Sequence, residues 1–315
     1  MLDFLKKQSS AIGLDISDDI VKIAQLNANG NEAVLSGAGS ECRPENIEAG
    51  SAGWQRWVIN AIHNVLDNSK FDGKNAVACL PARDIFIDYA RVGGSDSMPG
   101  EKLNELIFPK IKGKLPFDAA DAIIKYVPTA DDNVIVLATE RRKIEIHLAI
   151  YERVPVSVKS IAVWPQVLAN CYARFFGRRS TDFESIVMLA DVGPERVNVV
   201  ICRHRNLLFA RSLDFGLDQL NGEDGSRLAL ELNACRRSFG SMYRSGQIER
   251  LIFLCGNAVN KETFAKIAKQ MELPAQMGNC LAATKIENPW NCKVEIRGCR
   301  ESWATVFGLS LSEEN

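Results

Sequence analysis

Histidine is scarce in this chain, three in 315 residues, and none of the nine cysteines forms a Cys-x-x-Cys pair. Both absences argue against a zinc-type metal centre. Cys280, Cys292 and Cys299 come nearest to a cluster, but their spacing is irregular and no histidine stands close to them. No apolar run reaches the roughly 18 residues that a membrane-spanning helix needs, so membrane association is expected only through a partner. Lys6-Lys7 near the start have no long apolar core behind them, so a signal peptide is not expected. Charge of one sign is lacking too. With 38 basic and 39 acidic side chains the net charge is −1, which gives no electrostatic case for nucleic acid or an anionic membrane surface. Low-complexity tracts and short-period repeats are also absent, which excludes a solenoid.

What is present is ordinary for a globular protein: 46% hydrophobic and 24% charged residues, in a length that suits two domains or one bilobed domain. Several cysteines lie in apolar runs, as in Ala76-Val77-Ala78-Cys79-Leu80, which suits reduced, buried thiols in a cytosol. Trp290 and Trp303 are expected in the core.

The most informative feature is a repeated hairpin. Ala11 to Lys22 reads as an apolar strand ending in Asp15-Ile16-Ser17, a polar turn, and a second strand. Ile186 to Ile201 repeats the plan, with Asp191-Val192-Gly193 at the turn. An Asp at the end of a buried strand suits a metal or a phosphate: the turn offers backbone N–H groups, and the carboxylate can hold Mg²⁺ through water. Each hairpin taken alone is also what a plain β-turn looks like, with the Asp shaping the turn.

The rest of the chain alternates strands and helices. A short amphipathic lead at 1–10 precedes strands at 11–16, 20–27 and 32–38. A helix is predicted over 52–68, with Trp54, Trp57, Val58, Ala61, Ile62, Val65 and Leu66 on one face. A buried strand follows at 75–80. Residues 84–155 change character and read as a small inserted α/β unit: strands at 85–92, 121–128 and 133–140, helices at 99–113 and 141–152. The main pattern returns with a strand at 157–163 and a helix from Pro165 to Phe176. Strands over 186–213, a helix over 226–244, a strand at 251–254 and a helix over 261–272 complete it.

The two hairpins, in this order, resemble the phosphate grip of the actin-like ATPases. Within that group the chain resembles the type IV pilus assembly protein PilM family. The stretches that carry the resemblance are Met1–Lys7, Ile12–Ser17 with Val21-Lys22, Leu115-Pro116-Phe117, Arg237-Ser238-Phe239, Leu254–Ala258 and Val306–Leu309. It implies an α/β, actin-like (ribonuclease H-like) two-lobed fold with an FtsA/PilM-type inserted subdomain. The divisions would be subdomain IA at 1–83 and 156–185, the insertion (IC) at 84–155, and subdomain IIA with a shortened IIB at 186–315. It also implies a cytoplasmic protein peripheral to the inner membrane. Such a protein grips the cytoplasmic tail of a PilN-like membrane protein with one span, in a groove beside the insertion, and contacts other pilus or secretion assembly components. The nucleotide residues carried over are Asp15, Ser17, Lys22, Asp191, Gly193, Arg237, Gly256 and Asn257, with Asp15 and Asp191 toward Mg²⁺.

Several residues depart from that pattern. Asp18 and Asp19 stand where the family has small hydroxyl residues, and two carboxylates repel a triphosphate. Pro194 removes an N–H, Val197 replaces Thr, and Asn257 replaces a glycine that lets the backbone approach a ligand. After Gly216 only the short segment 217–225 precedes the next helix, so the adenine-side wall, subdomain IIB, is expected to be reduced. Two readings follow. One is a non-catalytic adaptor for a membrane protein's tail. The other is an actin-like ATPase that holds Mg-ATP with Asp15 and Asp191. Lys22 serves the second reading or is a strand-edge charge. Glu231 faces the adenosine end of the cleft or an intrahelical partner.

Overall fold

The computed structural model describes residues 10–29, 32–220, 225–244, 246–256, 260–294 and 302–312. The lead before residue 10, Asn257 and Cys299 lie outside them.

The first sheet grows from the opening hairpin. Strand β1 (Ile12–Ile16) pairs antiparallel with β2 (Ile20–Asn29), which pairs with β3 (Glu32–Cys42). On its other side β1 runs parallel to β4 (Asn75–Cys79), and β4 runs parallel to β8 (Ser157–Ala162). Two-residue strands β14 (Lys285–Ile286) and β15 (Cys292–Lys293) extend the outer side of β3. Because β1 is central, both its faces are covered, and its run of apolar residues follows. Ile12, Leu14 and Ile16 pack against helix α1 (Ala52–Asn68) through Trp54, Val58, Ala61 and Ile62. Ser51 starts that helix by accepting a hydrogen bond from Trp54 N at 3.1 Å. Gly13 and Asp15 alternate onto the opposite face.

The second sheet has the order β11-β10-β9-β12-β13. Its strands are β9 (Ile186–Val192), β10 (Val197–Arg203), β11 (Asn206–Leu213), β12 (Ile248–Leu254) and β13 (Ala275–Gly278). Helices α6 (Ser226–Met242) and α7 (Lys261–Met271) cover one face through Leu228, Leu232, Phe239, Phe264 and Ile267. Helix α4 (Trp164–Phe175) covers the other, and its second side meets α8 (Ala304–Ser310) on the first sheet. One helix layer thus joins both lobes. Between β11 and α6 the described chain holds the four-residue α5 (Leu217–Leu220).

The third sheet is antiparallel, β5 (Phe86–Arg91), β7 (Asn133–Glu140), β6 (Ala122–Pro128), in the order β5-β7-β6. Its central strand β7 is buried along nearly its whole length, while α2 (Gly100–Ile111) packs Leu103, Ile107 and Ile111 on it. Helix α3 (Arg141–Tyr151) leads back toward α1.

The helices fall where the periodicity puts them. Trp290 does not: it is 88% exposed, on a turn at Pro289–Asn291 beside β15, whereas Trp303 is buried. Below the lobes Arg250 Nη2 donates to Asp182 Oδ1 at 2.8 Å and Tyr172 Oη at 3.0 Å, tying β12 to α4 and the segment after it.

Candidate functional site

The two hairpins face each other across a cleft, and the cavity between them measures about 140 Å³. Asp15, Ser17, Lys22, Asp191 and Gly193 all line it. The sequence therefore brings together most of the residues singled out for a nucleotide. Arg237 and Gly256 are not among its lining residues: Arg237 is exposed on α6, and Gly256 is buried after β12. Glu231 meets Arg211 at 3.7 Å, across to β11 and outside its own helix.

Several polar groups of this cleft are already engaged within the protein. The Ser17 hydroxyl donates to Ile20 O at 3.1 Å and accepts from Ile20 N at 3.2 Å, while Ser17 N donates to Ile20 O at 3.0 Å. Gly193 N donates to Arg196 O at 2.9 Å, and Gly193 O accepts from Leu217 N at 2.9 Å. Lys22 is buried and donates to Ser302 O at 2.9 Å, so it is neither a strand-edge charge nor directed at solvent.

Asp191 is buried, with Oδ1 lacking a hydrogen-bond partner among the described residues. Burial raises its pKa, and hydrogen bonds from Ser302 and Asn198 and the charge of Lys22 act the other way.

Three carboxylates and three guanidinium groups close the mouth. Asp18 pairs with Arg83, and Asp19 with Arg43 at 2.5 Å. The Asp18 and Asp19 charges also reach Glu195 on the opposite hairpin. Burial foremost, then those two charges, raise the Glu195 pKa. Burial likewise raises that of Asp18, against the pull of Arg83. Arg196 also lines the cleft and pairs with Asp214.

A second, larger concavity of about 790 Å³ opens beside the inserted sheet, between β5 with its preceding turn and β11 with α6. Phe86, Ile87, Phe117, Phe209 and Met242 give it apolar surface, and its charged lining is mixed, with Arg83, Lys143, Arg196 and Arg211 among Asp84, Glu140 and Asp214. Both β5 and β11 are edge strands of their sheets. Tyr89 spans the floor: its hydroxyl donates to Ala210 O at 2.5 Å and accepts from Ala210 N at 2.9 Å, with the ring stacked on Phe209 at 5.3 Å. Tyr243 donates to Leu208 O at 3.0 Å. These two tyrosines bond Leu208 O and both backbone groups of Ala210, which blunts that part of the β11 edge against strand addition. The lining residues could not be named from sequence. They meet only because β5 and β11 are sheet edges, which pairing order decides.

No curated protein sequence matches the chain. Among solved structures, the PilM–PilN type IV pilus biogenesis complex superposes with a TM-score of 0.73 at 16% identity, over 97% of this chain and 99% of that one. The cytoplasmic domain of EpsL, an inner-membrane component of the Vibrio cholerae type II secretion system, gives 0.50 at 14% identity, over 97% and 94%. The ethanolamine utilization protein EutJ from Carboxydothermus hydrogenoformans gives 0.50 at 8% identity, over 99% and 92%. Together with the two hairpin-bearing lobes, these likenesses show the actin-like fold. The family model for type IV pilus assembly protein PilM matches residues 13–238. That is more than half of the chain, and the chain belongs to this family.

Proposed function

We propose that the protein is a cytoplasmic, non-catalytic adaptor of a type IV pilus assembly or related secretion machine. It binds the cytoplasmic tail of a PilN-like inner-membrane protein in the groove between β5 and β11, and it is peripheral to the membrane through that partner. The observation that carries this reading is the contrast between the two concavities, about 790 Å³ for the groove and about 140 Å³ for the cleft. Ligand pockets generally measure roughly 300–1,000 Å³. The groove also combines apolar side chains with charges of both signs, which suits a short amphipathic peptide.

The residues of the cleft do not fit a magnesium-bound triphosphate. Turn amides that would cradle phosphates close their own hairpins, and Lys22 is bonded to Ser302. Among its lining side chains the five carboxylates Asp15, Asp18, Asp19, Asp191 and Glu195 outnumber the three cations Lys22, Arg83 and Arg196, a balance that would oppose a polyanion. Asp15 and Asp191 at the base are what favours the ATPase reading.

Calorimetry separates the two. A synthetic tail peptide of the membrane partner is expected to bind saturably, and Phe86→Lys to weaken it by about tenfold or more, a typical loss for an aromatic anchor. Asp191→Ala is expected to leave peptide binding intact. ATP, with or without Mg²⁺, is expected to give no saturable heat up to millimolar concentration. Micromolar ATP binding that disappears in Asp191→Ala would overturn the adaptor reading of the cleft.

A further inference from the structure

We propose that Cys171 and Cys280 form a site of oxidative cross-linking that fastens the two lobes together. The sulfurs lie 3.3 Å apart, and both residues are buried, at 0% and 3% exposure. Their positions give the contact its meaning. Cys171 sits within α4, the helix packed between the sheets of both lobes. Cys280 sits in the segment that leaves β13 of the second lobe and returns to β14 of the first. A bond between them would tie the shared helix to the chain crossing, and relative movement of the lobes would be restrained there.

Sulfur atoms at this separation already face each other across a van der Waals contact. Closing to the roughly 2.05 Å of a disulfide needs a shift of about 1.3 Å. The turn supplies it more readily than the helix. Cys280 lies in a turn held by local bonds, side-chain ones from Thr284 Oγ1 to Cys280 O at 2.6 Å and from Ala282 N to Asn279 Oδ1 at 3.0 Å and backbone ones from Ala283 N and Thr284 N, and local opening of such a segment exposes its thiol. Burial holds the Cys171 thiol protonated, so it reacts second, after the turn has opened and reclosed.

With a peroxide as oxidant the step balances. The Cys280 sulfur attacks one peroxide oxygen, the O–O bond breaks, one water leaves, and a sulfenic acid remains. The Cys171 sulfur then attacks that sulfenic sulfur, hydroxide leaves as a second water, and the S–S bond forms. Two thiols and one peroxide give one disulfide and two waters.

The test uses the full chain carrying Cys42→Ser, which removes the exposed thiol among the described residues. After hydrogen peroxide and an alkylating quench, tryptic mapping reads the linkage. Cys171 is the sole cysteine of peptide 160–174, and Cys280 of peptide 270–285. The expected product is these two peptides joined, two hydrogens lighter, and separated again by dithiothreitol. Cys171→Ala and Cys280→Ala should each abolish it, while Cys255→Ala should leave it. The oxidised protein should also melt several degrees higher than the reduced one, a gain that dithiothreitol reverses. Two results would overturn the proposal. One is a dominant link from Cys280 to Cys255. The other is both thiols remaining alkylatable while half-buried Cys292 is oxidised. If the alanine variants fail to fold, mapping of the parent chain alone decides.

Discussion

Gly13→Ala is expected to destabilise the fold by about 3 kcal/mol or more, and Gly13→Val to prevent accumulation of folded protein. Gly13 lies in β1, on the face that meets α8. A Cβ there would fall well inside contact distance of the Val306 carbonyl oxygen, 2.9 Å from Ser310 N and 3.1 Å from Leu309 Cβ. The first two are backbone atoms of α8 and the Cβ is fixed by that backbone, so no rotamer change relieves the clash. The whole helix would have to move, and it is anchored on both sides. Gly308 packs its α-carbon against the Val167 carbonyl of α4. Ser310 Oγ donates to Ala11 O at 2.7 Å and accepts from Leu26 N at 3.0 Å. Chemical denaturation of Gly13→Ala beside Gly240→Ala measures the effect. Nothing lies within 4 Å of a Cβ at Gly240, in the last turn of α6, so that change should be neutral or stabilise by up to about 1 kcal/mol. Equal midpoints for the two variants would refute the close-packing argument.

The same contact shows what sequence reading reaches and where it stops. Gly13 is visible as part of Ile12-Gly13-Leu14-Asp15, but its partner is at the far end of the chain, and nothing local names it. Long periodic elements were legible: α1 spans Ala52–Asn68 as predicted, because Ser51 caps it and its apolar stripe repeats with helical period. Strands β14 and β15 were not, since two residues gain their identity only from pairing with β3. Trp290 was misplaced for a related reason. Its bulk argues for burial, whereas its turn lies outside the sheet beside an edge strand. In the cleft, Asp15, Ser17, Lys22, Asp191 and Gly193 converge because hairpin order is a property of the chain. The engagement of Lys22 with Ser302 is a contact 280 residues apart, beyond any motif. The exposed place of Arg237 follows from helical period: Cys235 and Phe239 are among the buried positions of α6, and the residue midway between them falls on the other face.

Acid is expected to weaken the fold through His147. This side chain is buried where α3 meets α1, with its ring edge-on to Trp54 at 6.3 Å and Nδ1 3.3 Å from the Tyr151 hydroxyl. Burial lowers its pKa to about 4, the Arg83 and Lys143 charges add to that, and Asp84 opposes them. The folded protein therefore keeps the ring neutral where the unfolded chain, titrating near 6.5, binds a proton. Above pH 6.5 neither state is protonated and His147 adds no pH dependence. From pH 6.5 down to about 4 the unfolded state gains the proton alone, and stability falls by up to about 3 kcal/mol, or roughly 1.4 kcal/mol per pH unit. Below that both states carry it and the loss stops growing. Urea unfolding at pH 7.5 and at pH 5 measures the slope. His147→Gln removes the titrating group, so its stability should change between those pH values by about 2 kcal/mol less than the parent's. The variant loses packing against Trp54 at both pH values, and only the difference between them reports the proton. Identical pH dependence in parent and variant would mean that His147 is protonated in the folded state and that its pocket admits water.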